Sequence, residues 1–229
     1  MCGIYLTNIS FNKKEVQKKL DTISFRGPNH TGILVKNNLI FGHLRLSILD
    51  LDKRSNQPMS YKNLTIVFNG EIYNYLQIKN ELKKFGYSFK TTSDTEVLLK
   101  GFDKWGELVV HKLNGMFAFA VFNKKTNKIF CSRDRLGQKP FYYYWKDGKF
   151  EICSQLRPIS ENKILNENAI NMFLDCTYIP SPFTIFKDVH KLAPGKNLLI
   201  DLDSGSFKVS EYWNLKKVEP LNISYNEAK

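Results

Sequence analysis

Short turns between apolar, strand-like runs constrain the fold of this chain more than any other feature. Residues 116–123 and 128–132 are two such runs, separated by Lys-Lys-Thr-Asn. Residues 141–146 and 149–153 flank Asp147-Gly148, a pair typical of a two-residue hairpin turn. Because hairpins outnumber alternations of strand and helix, we expect antiparallel sheets covered by helices, an α+β fold.

Two further hairpins are predicted, one in each half of the chain. Residues 32–36 and 39–42 are predicted strands around Asn37-Asn38. Residues 198–201 and 206–209 are predicted to form the last hairpin.

Amphipathic helices are predicted between the strands. Asn12 resembles an N-cap with Glu15 three residues on, and Ser93–Glu96 has the pattern of a capping box. The apolar face is Val16, Leu20 and Ile23 in the first helix and Tyr75, Ile78, Leu82 and Phe85 in the second.

The composition is that of a globular protein. Hydrophobic residues make up 42% of 229 residues, and no apolar run reaches the roughly 20 residues of a membrane span. No signal-peptide pattern is evident, so we expect a cytoplasmic protein. The net charge of +12 comes almost wholly from lysines spread along the chain (28 Lys against 6 Arg). We therefore expect no nucleic-acid partner and no membrane partner.

Neither a metal site nor a cofactor site is indicated. Cys2, Cys131, Cys153 and Cys176 lack the spacing of a zinc site or a disulfide framework. The sequence also has no GxGxxG or GxxxxGK[ST] phosphate loop.

The first residues, Met1-Cys2-Gly3-Ile4, place a small side chain after the initiator methionine. Methionine aminopeptidase removes Met1 readily in that context, which would leave a thiol and a free α-amine on Cys2. An α-amine with a pKa of about 7.7–8.0 can accept the thiol proton at neutral pH, and this is an established way to activate a nucleophile. A chain can also begin Met-Cys by chance, so the tetrapeptide alone leaves both explanations open.

Arg45 interrupts an otherwise apolar stretch. A guanidinium in such a place needs an acceptor. A structural salt bridge is one explanation, and bidentate binding of a substrate carboxylate is the other. His43 is predicted to be a structural histidine.

A buried strand at 64–68 is predicted to end in Asn69-Gly70-Glu71. A side-chain amide and an unhindered backbone N–H at one point are the donors that an oxyanion hole requires, although an ordinary Asn-Gly turn has the same sequence. Asp94 could stabilise the N-terminus of its helix or bind the ammonium group of a ligand, and spacing does not distinguish the two.

Taken together, these motifs resemble the N-terminal glutaminase domain of asparagine synthetase, a class II glutamine amidotransferase of the N-terminal-nucleophile type. Eight segments carry the resemblance, in family order: CGI (Cys2–Ile4), RGP (Arg26–Pro28), HLRLSILDL (His43–Leu51), FNGEIYNY (Phe68–Tyr75), SDTEVLL (Ser93–Leu99), LNGMFAFAV (Leu113–Val121), RDRLGQKPFYY (Arg133–Tyr143) and YIPSPFTIFKDVHKLAPG (Tyr178–Gly195). The resemblance implies a four-layer αββα sandwich of two antiparallel sheets.

The resemblance also implies a chemical role for three of these residues. Cys2 would attack the side-chain amide of L-glutamine, with its own α-amine as base. Asn69 and Gly70 would form the oxyanion hole. A thioester would form, ammonia would leave, and water would release glutamate.

Further residues would bind the substrate. Arg45 would hold the α-carboxylate of glutamine and Asp94 its α-ammonium, with Glu71 lining the same pocket. Backbone contacts would come from Leu46, Ser47, Ile48 and Leu49.

Residues 2–195 are expected to be the glutaminase domain, and residues 196–229 a final hairpin and a linker toward a synthetase domain. In the family that domain adenylates aspartate with Mg-ATP at an SGGxDS loop, a motif absent from this sequence. No cofactor is therefore expected for this chain. The sequence departs from the family pattern at Phe25, Asn29 and Gln155, none of which has a predicted contact with glutamine.

The partners expected are L-glutamine, a synthetase domain or chain that receives ammonia, and a second copy in a homodimer. Two alternatives stay open. The chain could serve an acceptor other than aspartate, or it could bind glutamine without hydrolysing it. Retention of Cys2, Arg45, Asn69, Gly70 and Asp94 together favours an active glutaminase.

Overall fold

The computed structural model describes residues 1–159, 164–217 and 222–228. Its strands are β1 (Gly3–Thr7), β2 (His30–Lys36), β3 (Leu39–Arg45), β4 (Met59–Tyr61), β5 (Leu64–Ile72), β6 (Gly115–Asn123), β7 (Lys128–Arg133), β8 (Tyr142–Lys146), β9 (Lys149–Cys153), β10 (Val189–Lys191), β11 (Lys196–Asp201) and β12 (Ser206–Glu211). Its helices are α1 (Lys13–Asp21), α2 (Tyr75–Lys84), α3 (Asp94–Trp105), α4 (Val109–Lys112), α5 (Glu167–Cys176) and α6 (Tyr225–Ala228).

The strands form two six-stranded sheets in which all the pairings are antiparallel. The first has the order β10-β8-β9-β1-β3-β2 and the second β12-β11-β7-β6-β5-β4. In the first sheet β1 lies between β9 and β3, so the N-terminal segment is held by strands from distant parts of the chain.

Three apolar clusters separate four layers. The cluster between the sheets contains Ile4 and Phe41 from the first sheet and Val67 and Phe122 from the second. A second cluster packs helices α2, α3 and α4 on the outer face of the second sheet, and a third packs α1 on the outer face of the first. Because alternate side chains of a strand point to opposite faces, both faces of each sheet bury apolar residues. The fold is therefore the α+β, four-layer αββα sandwich that the family resemblance implies.

The predicted hairpins form because their turns tolerate left-handed backbone. Asn37 and Asn38 have φ of 53° and 58°, and Asp147 and Gly148 have φ of 49° and 74°, which Asn, Asp and Gly adopt more readily than other residues. The capping box at Asn12 and Glu15 is present.

Three local predictions are wrong. Strand β5 continues to Ile72 instead of ending at Asn69, because it pairs with β6 along its whole length. Phe85 is 52% exposed and is not part of the core. The capping box at Ser93 is incomplete, because the Glu96 carboxylate accepts the N–H groups of Lys90 and Thr91 rather than that of the cap residue.

The last hairpin, β11 and β12, belongs to the second sheet, since β11 pairs with β7. It is therefore part of the domain and not of the linker with which it was predicted. Residues 216–229 stay predicted as a linker, and of these 218–221 and 229 lie outside the described residues. Among the helices of the described part of the chain, none is both long and apolar enough to cross a bilayer.

Candidate active site

Most of the predicted residues converge on one cleft at the N-terminal end of β1. The loop after β3, strand β5 and the start of α3 meet there. The lining residues are Cys2, Arg45, Leu46, Ile48, Leu49, Ser55, Gln57, Phe68, Gly70, Glu71, Ser93, Asp94 and Thr95. Eight of the ten predicted site residues are in this set. Ser47 and Asn69 are not.

Cys2 is positioned by contacts from opposite sides. Its Sγ lies 3.4 Å from the Leu46 nitrogen, which donates to it, and its carbonyl accepts a 2.9 Å hydrogen bond from Arg26 Nε. The Ser154 hydroxyl accepts the N–H of Ile4 at 3.0 Å and so fixes the start of β1. The thiol is therefore held in the wall of the cleft.

The Cys2 thiol needs a base to become a nucleophile. Burial raises its pKa, and the hydrogen bond from Leu46 only partly opposes this effect. The thiol is thus protonated at neutral pH, whereas the thiolate is the reactive form. While Met1 is present the terminal amine belongs to that residue, and its pKa is lowered, chiefly by burial, with Arg26 and Lys139 adding to the decrease.

Arg45 forms the cationic pole of the cleft. Its guanidinium donates to the carbonyls of Leu49, Asp50 and Asp52 and to Asn56 Oδ1, so that the loop after β3 is wrapped around it. Among the described residues no carboxylate forms a salt bridge with Arg45. The structural salt bridge considered from the sequence is therefore not present there, and the positive charge is left without a protein counter-ion.

Glu71 and Asp94 form the anionic pole. Asp94 is buried, and its Oδ2 accepts the N–H of Ile72 at 3.0 Å. Burial raises the pKa of Asp94 to about 6. Burial, and then the charge of Asp94, raise the pKa of Glu71 to about 7. Two carboxylates that repel each other in this way are stabilised by a cation between them.

The N–H of Gly70 points to the open edge of β5. Phe117 is the residue of β6 that lies opposite Gly70. The Asp134 N–H donates to the Phe117 carbonyl, and the Asp134 carboxylate accepts the Phe117 N–H. Gly70 and Phe117 therefore form no hydrogen bond with each other. The neighbouring N–H groups on the same edge, those of Phe68 and Ile72, are bound by Gln57 and Asp94. Strand β4 pairs only as far as Ile66, and the Gly70 N–H faces the cleft between these two bonds.

Asn69, next to Gly70 in β5, carries a side-chain donor that is unpaired in the described part of the chain. Its side chain is buried, and its Nδ2 has no hydrogen-bond partner among the described residues. A buried amide donor without an acceptor is costly, so a ligand oxygen that accepted from Asn69 would be stabilised there. An ordinary Asn-Gly turn is excluded, because both residues lie within β5.

The remaining predicted residues have indirect positions. Ser47 lies outside the cleft, where its N–H is bound by Asn29 Oδ1 at 2.9 Å. Asn29 uses an oxygen that Asp would also have, so this departure from the family pattern leaves the contact intact. His43 is fully buried against the Phe68 carbonyl, and burial lowers its pKa to about 3, as expected of a structural histidine.

Sequence reasoning missed Gln57 and Arg26 as parts of the site. Gln57 binds both backbone groups of Phe68 through its side-chain amide, and so completes the edge of β5 beside the cleft. Arg26 belongs to the RGP motif, and a buried arginine beside a turn could have indicated its contact with Cys2. Within the described residues no cluster of three or more His, Cys, Asp or Glu side chains could hold a metal ion.

Comparison with known proteins decides the family. The profile of a family described as "Glutamine amidotransferase domain" matches residues 1–213. The chain belongs to the glutamine amidotransferase domain family.

Relatives of this amidotransferase domain include a putative asparagine synthetase (glutamine-hydrolyzing) 2 of Methanocaldococcus jannaschii. It is 39% identical over 251 residues, which cover 96% of this chain and 48% of the relative. Asparagine synthetase (glutamine-hydrolyzing) 3 of Bacillus subtilis is 36% identical over 231 residues, which cover 94% of this chain and 37% of the relative. The chain thus spans less than half the length of these two relatives.

The fold has a counterpart among solved structures. Glutamine phosphoribosylpyrophosphate amidotransferase of B. subtilis superposes with a TM-score of 0.67 over 93% of this chain and 49% of that chain. The sequence identity is 18%, so the likeness concerns the fold alone. It confirms the architecture described above.

Proposed function

We propose that this chain hydrolyses L-glutamine to glutamate and ammonia through a thioester on Cys2. The observation that carries the proposal is the pairing of charges in the cleft. Arg45, a cation without a protein counter-ion, complements an α-carboxylate, and Glu71 with Asp94 complements an α-ammonium group. An α-amino acid whose side chain reaches Cys2 satisfies both poles.

The chemistry requires that Met1 be removed, so that Cys2 has a free α-amine. The amine accepts the Sγ proton, and the thiolate attacks the side-chain carbonyl carbon of glutamine. We propose that Asn69 Nδ2, which has no hydrogen-bond partner among the described residues, and the Gly70 N–H stabilise the oxyanion. The protonated amine returns its proton to the amide nitrogen, the C–N bond breaks and ammonia leaves.

Hydrolysis of the thioester completes the cycle. Water attacks the thioester carbonyl while the α-amine accepts its proton, the C–S bond breaks, and the thiol is restored as glutamate leaves. These steps use the amine, the thiol and the two donors, and we propose that this chain needs no metal or cofactor for them.

We also propose a use for the ammonia. Relatives named asparagine synthetase are about twice the length of this chain or more. We infer that a synthetase domain or chain uses the ammonia to amidate aspartate in a Mg-ATP-dependent reaction. A cytoplasmic location and a homodimer complete the proposal.

The decisive experiment is release of glutamate from L-glutamine by the purified chain, with the mass of the N-terminus recorded. The expected result is turnover by a protein that lacks Met1. Cys2→Ala should abolish it, and Cys176→Ala, which removes an exposed thiol, should not. If a protein with a free Cys2 binds glutamine but releases no glutamate, the domain is a glutamine-binding module and the proposed hydrolysis is wrong.

A further inference from the structure

One carboxylate joins the two loops that carry the charged poles of the cleft. The side chain of Asp50 is only 2% exposed. Its Oδ2 accepts the N–H of Thr92 at 2.7 Å, across 42 residues of chain. Within its own loop Asp50 also accepts from Arg54 Nε at 3.1 Å and from the N–H of Asp52 at 3.3 Å.

Each end of this link is next to a pole. On one side, the carbonyl of Asp50 itself accepts a hydrogen bond from the Arg45 guanidinium, as does that of Leu49. On the other side, Thr92 lies two residues before Asp94, which begins α3. The Asp50 carboxylate therefore connects the backbone that holds the cation to the backbone that presents the anion.

The link has the features of a strong hydrogen bond. A carboxylate that accepts from a backbone N–H forms a charge-assisted bond, which is shorter and stronger than a neutral one. Burial raises the pKa of Asp50, but the bonds from Thr92 and Arg54 outweigh this effect and leave it lowered. The carboxylate is therefore ionised at neutral pH.

A second contact between the same loops is neutral and longer. Gln57 Nε2 donates to the Thr95 hydroxyl at 3.3 Å. We expect this contact to keep the two segments together when the Asp50 bond is weakened, so that a variant at Asp50 changes the spacing of the poles without separating the segments.

We infer that Asp50 is a positioning residue that fixes the separation of Arg45 and Asp94 and so sets the affinity of the cleft for an α-amino acid. The inference rests on the proposed function, because it assumes that glutamine occupies the cleft. Asp50 touches no reacting atom and acts through the two loops.

The substitution that tests this inference is Asp50→Asn. Asp50 has φ of +46°, and Asn tolerates that conformation better than other residues do, so the exchange introduces no backbone strain. The Asn side chain keeps one acceptor oxygen, but its NH₂ group replaces the other oxygen and therefore faces an N–H donor. Loss of one charge-assisted hydrogen bond predicts about a tenfold rise in the KM for L-glutamine, with kcat within about twofold of the original.

The matched control is Asp201→Asn. Asp201 also accepts two backbone N–H groups, those of Asp203 and Ser204, and pairs with one basic side chain, Lys128, but it is the last residue of β11 and does not line the cleft. We expect its substitution to leave the KM unchanged. Arg54→Ala, which removes the local ion pair but not the bond to Thr92, should also change the KM by less than about twofold.

Two further measurements separate positioning from loss of structure. Calorimetry gives the Kd for L-glutamine in Cys2→Ala and in Cys2→Ala with Asp50→Asn, where no turnover occurs. In the chain that keeps Cys2, with and without Asp50→Asn, peptide mass follows the rate at which iodoacetamide alkylates the thiol. This reaction does not depend on the charged poles of the cleft, so its rate reports whether the rest of the site is intact. The expected result is about a tenfold higher Kd with an unchanged alkylation rate.

The other outcomes overturn the inference in distinguishable ways. An unchanged Kd means that Asp50 does not set the spacing. A higher Kd together with altered alkylation and a melting temperature far below that of Asp201→Asn means that Asp50 merely supports the fold. If Cys2→Ala itself does not bind glutamine, the proposed function fails and the inference fails with it.

Discussion

Replacement of Glu71 by Gln should stabilise the folded protein while it weakens the binding of glutamine. Glu71 lies half-buried in the cleft beside Asp94, and within the described part of the chain it has no hydrogen-bond partner. Without substrate, its charge is unfavourable in the folded state. Gln has the same shape but no charge, so the substitution removes the unfavourable term and leaves the packing intact.

The magnitude follows from the pKa. A carboxyl whose pKa rises from 4.5 to about 7 on folding costs at most about 3.5 kcal/mol when it is ionised, since each tenfold change in proton affinity is worth about 1.4 kcal/mol. Solvent reaches part of Glu71, so we expect a gain of about 1–2 kcal/mol in the free energy of unfolding.

The sign of the pH dependence is fixed by the direction of the shift. Below the unfolded pKa of 4.5 the carboxyl is neutral in both states, and Glu71→Gln changes nothing. As the pH rises from 4.5 to 7, ionisation favours the unfolded chain, so the wild type loses stability relative to the variant. The gain is complete above about pH 7.

Urea unfolding at pH 4.5 and pH 8, with glutamine absent, measures this difference. We expect the gain at pH 8 to exceed that at pH 4.5 by about 1 kcal/mol or more, and the variant to bind glutamine at least about tenfold more weakly. An equal change at both pH values, or a loss of stability at pH 8, would refute the reasoning.

Three other predictions follow from the site and the core. Glutamine binding should weaken as the pH falls from 8 to 6, because protonation of Glu71 and Asp94, with pKa values of about 7 and 6, removes the charge that binds the ammonium; calorimetry at several pH values measures this, and a constant Kd contradicts it. Arg26→Lys loses the bond from Nε to the Cys2 carbonyl, so kcat should fall about tenfold with the KM for glutamine within about twofold; steady-state kinetics would contradict this if only the KM rose. Phe122→Ala removes a fully buried ring between the sheets and should lower the free energy of unfolding by about 3–5 kcal/mol; urea unfolding tests it, and a loss below about 1 kcal/mol contradicts it.

The sequence predicted those parts of the fold that local chemistry determines. The hairpins at Asn37-Asn38 and Asp147-Gly148 follow from residues that adopt positive φ, and the start of α1 follows from a cap that the chain carries beside it. Each of these features depends on a few adjacent residues, which is why patterns in the sequence reveal them.

The extension of β5 through Asn69 and Gly70 could not be predicted in this way. Asn-Gly alone indicates a turn. The strand stays straight because β6, more than 40 residues later, pairs with it in register as far as Ile72. Asp134 then occupies Phe117 and leaves the Gly70 N–H free for the cleft, a consequence of contacts that no local pattern contains.

The candidate site likewise has features that the sequence predicts and features that depend on distant contacts. Its residue types were apparent, since a small residue after Met1, an arginine in an apolar stretch and an acid at a helix start are visible in sequence. The way in which Arg45 is held was not, because its acceptors are carbonyls whose positions depend on the path of the loop to Asn56. The same holds for Arg26 and Ser154, which fix the N-terminal strand from distant segments.

The central claim is that Cys2, freed of Met1, forms a covalent intermediate with the side chain of glutamine. Acid quenching during turnover, followed by intact and peptide mass measurement, tests it most directly. The account predicts a glutamyl adduct on Cys2 of the chain that lacks Met1, released by hydroxylamine and absent from Cys2→Ala. Glutamate formation by Cys2→Ala, or an adduct on the exposed Cys176 instead, would contradict it.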